Sequence, residues 1–173
     1  MRFQVVGLAF AASAFFMDAA RAFPDGAPWG AANPSAEQNC ATCHFDDDPV
    51  HDSDVLIIDG LPGHLEGGAT YDLKINFEDP GAMIAGFQLI AQAVDQHAGT
   101  LVSSAADVEF VGATIRSTQP LTGEETISWP VTWRAPATIM SPIVFYVAAT
   151  AANDDGSPFG DKIHYRTYTL ATK

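Results

Sequence analysis

Turn residues divide most of this chain into short segments, and several of these segments alternate polar and apolar side chains. In residues 70–77 every odd-numbered residue is apolar or aromatic and every even-numbered residue is polar. A period of two places one face in a core and the other in water, which is typical of a half-buried β-strand. By the same signals, strands are predicted at residues 55–58, 70–77, 84–94, 108–111, 114–118, 126–134, 143–149 and 162–170.

These strands predict an all-β fold. Gly, Pro, Asn and Asp separate them, and no capped helical pattern lies between them, which favours an antiparallel sandwich over a βαβ fold. Trp129 and Trp133 are four residues apart and are predicted to share a face. Pro130 between them cannot donate a backbone hydrogen bond, so it predicts an edge or a bulge at this point. We expect the sandwich domain to span residues 55–173.

The region before the first strand has a different composition. Residues 1–22 combine Arg2, an apolar run at residues 5–16 and the sequence Ala20-Arg21-Ala22. A basic start, a short apolar centre and small residues before the cut are typical of a signal peptide, here cleaved after Ala22. Residues 23–54 are rich in Pro, Gly, Ala and Asp and are predicted to form an irregular arm. We therefore expect a periplasmic or extracellular protein with no membrane span in its mature form.

The charge of the chain restricts its partners. Cleavage after Ala22 would leave six basic and 20 acidic residues, a net charge of −14. Such a field repels nucleic acid and anionic membranes, and it would steer the protein toward a partner with a basic docking face.

The two cysteines lie in one pentapeptide of the predicted arm, Cys40-Ala41-Thr42-Cys43-His44. In c-type cytochromes two thiols at this spacing bond a haem through thioethers, and the following histidine ligates the iron. The motif predicts one covalent haem c, with Cys40 and Cys43 as attachment points and His44 as the proximal iron ligand. We find no nucleophile–base pair, phosphate loop or paired carboxylates, so we expect an electron-transfer or redox module and no enzyme.

Other chemistry fits the same cysteines. They could form a local disulfide, or a thioredoxin-like redox pair, although the latter expects a strand followed by a helix. A structural zinc site would need a further ligand such as His51, His64 or His97.

The sixth iron ligand is open at this point. His51 lies seven residues after His44, and the chain between them would have to round the porphyrin edge. Met83 and His64 lie on turns next to predicted strands, where a rigid sheet could hold a ligand, and they are the preferred candidates. An open sixth position, able to bind a small ligand, is also compatible with the sequence. The remaining donors are His97, His164 and Met140.

The alternative function is a cell-surface or periplasmic adhesion or interaction module without redox chemistry. In that case Cys40 and Cys43 form a disulfide, and acidic loops could bind calcium through hard oxygen donors. No EF-hand spacing is present. The candidate calcium ligands are Asp46, Asp47, Asp48, Asp52, Asp54, Asn153, Asp155 and Asp161.

A set of ordered motifs also resembles the bacterial reeler-like domains, known as choice-of-anchor V domains. The resemblance covers most of the predicted mature chain. It rests on Asn39-Cys40-Ala41-Thr42-Cys43-His44, Gly60-Leu61-Pro62, Gly68-Ala69-Thr70-Tyr71-Asp72-Leu73, Pro80-Gly81, Gly86-Phe87-Gln88-Leu89, Ala98-Gly99-Thr100-Leu101, Trp133-Arg134-Ala135-Pro136, Phe145-Tyr146-Val147-Ala148-Ala149, Ala152-Asn153-Asp154-Asp155-Gly156 and Gly160-Asp161.

This resemblance implies an immunoglobulin-like β-sandwich in an exported or surface protein, and it implies no particular reaction. Members often end in an anchoring tail, which is not evident here, so a free periplasmic protein is expected. Many members also have a His-Thr pair in a middle strand. Ser117-Thr118 takes that place here, so a haem that relied on that histidine would need another ligand.

Overall fold

A computed structural model describes residues 27–94, 96–122 and 126–172. The predicted signal peptide lies outside the described residues. A four-residue helix, α1, spans Cys40–Cys43. The strands that follow are β1 (Leu56–Asp59), β2 (Thr70–Phe77), β3 (Ile84–Ala93), β4 (Gln96–His97), β5 (Thr100–Val102), β6 (Val108–Val111), β7 (Thr114–Ser117), β8 (Leu121–Thr122), β9 (Ile127–Arg134), β10 (Ile143–Ala152) and β11 (Lys162–Leu170).

The strands form two sheets. The first has the order β1-β2-β9-β5, and the second has the order β11-β10-β3-β7-β6, with β4 and β8 also paired to β3. The pairs between these strands are antiparallel, so the predicted all-β antiparallel sandwich is confirmed. The ring of Trp133 in β9 meets that of Phe145 in β10 edge to face at 4.9 Å, which joins the two inner faces.

Strand β9 shows why the tryptophans and the proline alternate. Trp129 and Trp133 are both buried on its inner face, as predicted, and Pro130 is exposed on the other. The strand is interior in the sheet, but β5 is short and pairs only with residues 132–134. Pro130 therefore lies beyond the end of β5, on a locally unpaired side where no ladder donor is required.

Strand β3 departs from simple alternation, because residues 87–91 are all buried. Its inner face packs in the sandwich core, whereas Gln88 and Ile90 point outward and are covered by the arm. Ile90 belongs to a second apolar cluster with Ala32, Ala148, Ile163 and Tyr165. The outer face of this sheet is thus a second packing surface.

The arm continues from this cluster along the edge strand β11. Val50 forms a parallel bridge with His164, in which the Val50 backbone N–H donates to Ile163 O and the Tyr165 N–H donates to Val50 O, both at 2.8 Å. Ser53 N donates to Tyr165 O at 3.0 Å. The arm is therefore tied to the last strand of the fold. Within the described residues, we find no helix with the length and apolar character that a membrane crossing requires.

Candidate functional site

Helix α1 is a single turn that places three chemically active side chains together. The His44 N–H donates to Cys40 O at 3.1 Å and closes the turn, and the Asn39 N–H donates to Thr42 Oγ1 at 3.2 Å at its start. Residues three apart on a helical turn lie on one side of it, so Cys40 and Cys43 face the same way. The arm was predicted to be irregular, and this turn is the departure from that prediction.

Tyr165 in β11 fixes the turn to the sandwich. Its hydroxyl accepts a hydrogen bond from Ala41 N at 3.1 Å and donates to Asn39 Oδ1 at 3.2 Å. On the Tyr165 ring, His51 stacks with centroids 5.6 Å apart and planes 15° apart. Burial, followed by the nearby Cys40, raises the pKa of the Tyr165 hydroxyl, which therefore stays protonated and able to donate.

A second anchor holds the start of the arm. Arg116 in β7 donates to Ala27 O, and its guanidinium lies over the Trp29 ring, 4.3 Å from the centroid. The same guanidinium pairs with Glu109 on β6. Glu109 thus compensates the charge of Arg116, while the planar guanidinium packs on the Trp29 ring of the arm.

A cavity of about 540 Å³ lies between the arm and the outer face of the second sheet. Cys40, Cys43 and His44 all line it, together with residues 84–88 of β3, residues 117–120 and residues 154–158. Most of its lining is apolar, with Ala31, Phe45 and Ala148 among the contributors. Both its volume and its character are those of small-molecule and cofactor sites.

The His44 ring makes a specific contact at this cavity. His44 Nδ1 lies 2.9 Å from Asp161 Oδ2, and Asp161 is only 3% exposed. The second carboxylate oxygen, Oδ1, accepts a hydrogen bond from Asn153 N at 3.4 Å. A histidine that ligates a metal through one ring nitrogen commonly donates its other N–H to a carboxylate. The contact therefore leaves Nε2 as the nitrogen for an iron ligand.

Both cysteines are free thiols in the structure. Cys40 Sγ donates to Ala31 O at 3.4 Å. Cys40 lines the cavity and also packs against the second apolar cluster, which contains Tyr165. Burial raises the pKa of the Cys40 thiol to about 12, although the neighbouring Tyr165 hydroxyl opposes the shift. The thiol is therefore held in its neutral form at neutral pH.

The preferred sixth-ligand candidates lie apart from the described lining of the cavity. Met83 is 62% exposed and directly precedes the lining residue Ile84, and His64 is exposed on the turn after β1. Met140 is 90% exposed. The cavity lining includes neither Met83 nor His64, so the sixth ligand stays a prediction.

His164 was one donor among several in the sequence, and the structure gives it other partners. Ser53 Oγ and His164 Nδ1 are 2.9 Å apart, and His164 Nε2 lies 2.9 Å from Asp79 Oδ2, although not aligned as a hydrogen bond. The order Ser-His-Asp resembles a hydrolase relay, but Ser53 is 2% exposed. A nucleophile that substrate cannot reach has no catalytic use, so we interpret this cluster as structural.

Metal sites predicted from acidic residues find little support in the described part of the chain. There, no three His, Cys, Asp or Glu side chains converge as metal ligands. Asp161 contacts His44, Asp155 accepts from Ser157 N at 2.8 Å, and Asp46 accepts from Gly160 N at 3.2 Å. Calcium and zinc binding remain untested predictions.

Three residues that shape the site were not predicted as such: Gln88, Tyr165 and Asp161. In the sequence, Asp161 was predicted only as a candidate calcium ligand and as part of the motif Gly160-Asp161. It is 117 residues from His44, and no local pattern links two residues so far apart. An outward-facing glutamine within a strand of apolar residues is the one local signal that could have indicated a second packed surface.

Comparison with solved structures supports the fold. The Reelin-N domain of F-spondin matches with a TM-score of 0.57 and 17% identity, over 77% of this chain and 96% of that domain. A crystal structure of the human F-spondin reeler domain matches with a TM-score of 0.54 and 16% identity, over 74% and 95% of the two chains. The fold is therefore a reeler-like β-sandwich, and identities this low show the fold alone. No family model and no curated protein sequence matches the chain.

Proposed function

We propose that this protein holds one covalently attached haem c in the cavity between arm and sheet and acts as an exported redox module. The observation that carries the proposal is that Cys40, Cys43 and His44 line one apolar cavity of about 540 Å³. A CxxCH motif that occurred by chance would not need to border a cofactor-sized apolar space.

The residues present fit this group. Cys40 and Cys43 would hold the haem as thioethers, and His44 would ligate the iron through Nε2. When bound, the haem supplies a one-electron couple whose potential depends on the axial ligands and the surrounding polarity. The apolar lining, including Phe45 and Ala148, offers an apolar surface to the porphyrin. Thioether formation also removes the ionisable proton of a buried thiol.

The proposed role is electron transfer to or from a protein partner, without enzymatic turnover. Acidic side chains border the site: Asp46 follows the cavity residue Phe45, while Asp154 and Asp155 line the cavity itself. Charge of this sign steers a partner with a basic docking face, and salt screens the attraction. Electron exchange with a basic redox protein should therefore slow as ionic strength rises.

The test is the intact mass and spectrum of the chain exported from cells that contain haem-maturation machinery. We expect a mass gain of one haem, a Soret band, and colour that remains with the polypeptide after denaturation. Replacing both cysteines, as C40S with C43S, should abolish covalent colour, whereas T42S between them should retain it. Colourless wild-type protein from such cells would refute the proposal.

The same mass measurement tests the alternative. If the chain is an interaction module with a Cys40–Cys43 disulfide, its mass should be two hydrogens below that of the dithiol form, and reduction should restore them. Calcium binding to that form would raise the melting temperature on calcium addition and lower it on chelation.

A further inference from the structure

Asp161 ends the loop that connects β10 to β11, immediately before Lys162. Its buried Oδ2 is 2.9 Å from His44 Nδ1, and its Oδ1 accepts the Asn153 N–H. Both carboxylate oxygens are therefore occupied, which fixes the orientation of the group. A carboxylate held in place this way is a pre-aligned acceptor for the Nδ1 proton of His44.

The other two carboxylates at the cavity, Asp154 and Asp155, are not paired with His44. Asp155 uses its side chain within its own loop, where Oδ1 accepts from Ser157 N and Oδ2 from Asn153 Nδ2. Asp154 is exposed and has a φ of 60°. The contact with His44 belongs to Asp161 specifically, and it is separable from the general negative charge of the loop.

We propose that Asp161 is a positioning residue that sets the tautomer of His44 and lowers the reduction potential of the iron it ligates. This inference rests on the proposed function. A carboxylate that accepts the Nδ1 proton makes Nε2 a stronger electron donor. A stronger donor favours the ferric form over the ferrous form, and hydrogen bonding to an axial ligand is one of the means by which a protein tunes a haem.

The test compares D161N and D154N with the haem-bearing wild-type protein. D161N replaces the carboxylate by a weaker acceptor of similar size. It should shift the equilibrium constant for reduction at least tenfold toward the ferrous form, which is about 59 mV for one electron. D154N removes the same charge at the same cavity, and asparagine tolerates the left-handed backbone found there. It should shift the constant less than threefold.

A D161N potential equal to that of D154N would overturn the inference and leave the proposed function intact. A wild-type chain that carries no haem after export would contradict both the inference and the proposed function.

A measurement on the wild-type chain covers the case in which D161N does not fold. In the reduced protein under carbon monoxide, with ¹⁵N-labelled histidine, His44 Nδ1 should carry a proton that exchanges at least tenfold more slowly than the ring protons of His64. Exchange as fast as that of His64 would overturn the inference.

Discussion

The side-chain amide of Gln88 holds the arm to the outer face of the sheet. Its Oε1 accepts from Ala32 N at 3.1 Å, and its Nε2 donates to Pro28 O at 2.9 Å. The residue is buried on β3, and its bond to Ala32 N lies away from water, whereas its bond to Pro28 O is partly buried. One glutamine thus satisfies two polar backbone groups of the arm beside the cavity.

Gln88→Leu should destabilise the fold by about 1–3 kcal/mol, since it leaves the buried Ala32 N–H without a partner. Urea unfolding at neutral pH measures this, and limited proteolysis of the arm gives a second readout. Gln92→Leu is the matched control, because Gln92 lies four residues further on the same face of β3 and is only partly buried. It should change stability by less than about 0.5 kcal/mol. Equal effects of the two substitutions would contradict the role of Gln88.

Gly99 and Gly68 form a second matched pair, with φ values of 76° and 73°. A Cβ at Gly99 would lie 2.1 Å from Arg134 O, whereas a Cβ at Gly68 would meet no atom within 4 Å. Gly68→Ala should therefore cost only the left-handed backbone strain, about 1–2 kcal/mol. Gly99→Ala should cost more than about 4 kcal/mol. Thermal unfolding compares the two, and similar melting temperatures would show that the contact at Gly99 can relax.

Acid should destabilise the protein through His164. Burial lowers the pKa of the His164 ring from its ordinary value of 6.5, although Asp79 opposes the shift. The unfolded chain then binds the proton more tightly, so stability is complete above pH 6.5 and is lost as the pH falls toward the folded pKa. The loss is at most about 1.4 kcal/mol per pH unit in that window.

Urea unfolding at pH 7 and pH 5 should show this loss in the wild type and a smaller one in His164→Asn. His64→Asn, which alters an exposed histidine, should retain the wild-type pH dependence. If His164→Asn retains it as well, another group causes the acid effect.

Cys40 should be unusually slow to alkylate in the free-thiol form of the protein. In C43S protein produced without haem maturation, the rate with iodoacetamide should still be rising at pH 10, because burial raises the thiol pKa to about 12. In urea the same profile should level off near the ordinary thiol pKa, about 8.5. A plateau near pH 9 in the folded protein would show that the thiol is open to water.

Local patterns predicted most of the sandwich. Alternation located β2 and β9 to within a residue, because one face of each packs on the core. The bounds of β11 also match the prediction, although both of its faces are buried at residues 163–165. Strands β4, β5 and β8 have two or three residues each, too few to show a period. Within β10, the strand continues three residues past the predicted end at Ala149, since its final small residues carry no alternation.

The CxxCH residues of the candidate site were predicted from the sequence, but the cavity around them was not. Cys40, Cys43 and His44 were found because their chemistry is encoded in five consecutive residues. The cavity they border depends on contacts such as Ala41 N with the Tyr165 hydroxyl, 124 residues away, and Ala32 with Gln88, 56 residues away. Such pairings are set by the docking of the arm on the sheet, which leaves no periodic trace in the sequence.

The distance along the chain between His44 and Asp161 has a consequence for biogenesis. An exported polypeptide emerges from its translocation channel with the amino-terminal end first, so on the proposed function the CxxCH segment reaches the maturation machinery while β11 is still inside. The wall of the cavity formed by β10 and the loop that ends at Asp161 is completed only afterwards. A porphyrin can thus be joined to an open, unfolded segment, and folding of the remaining strands then encloses it.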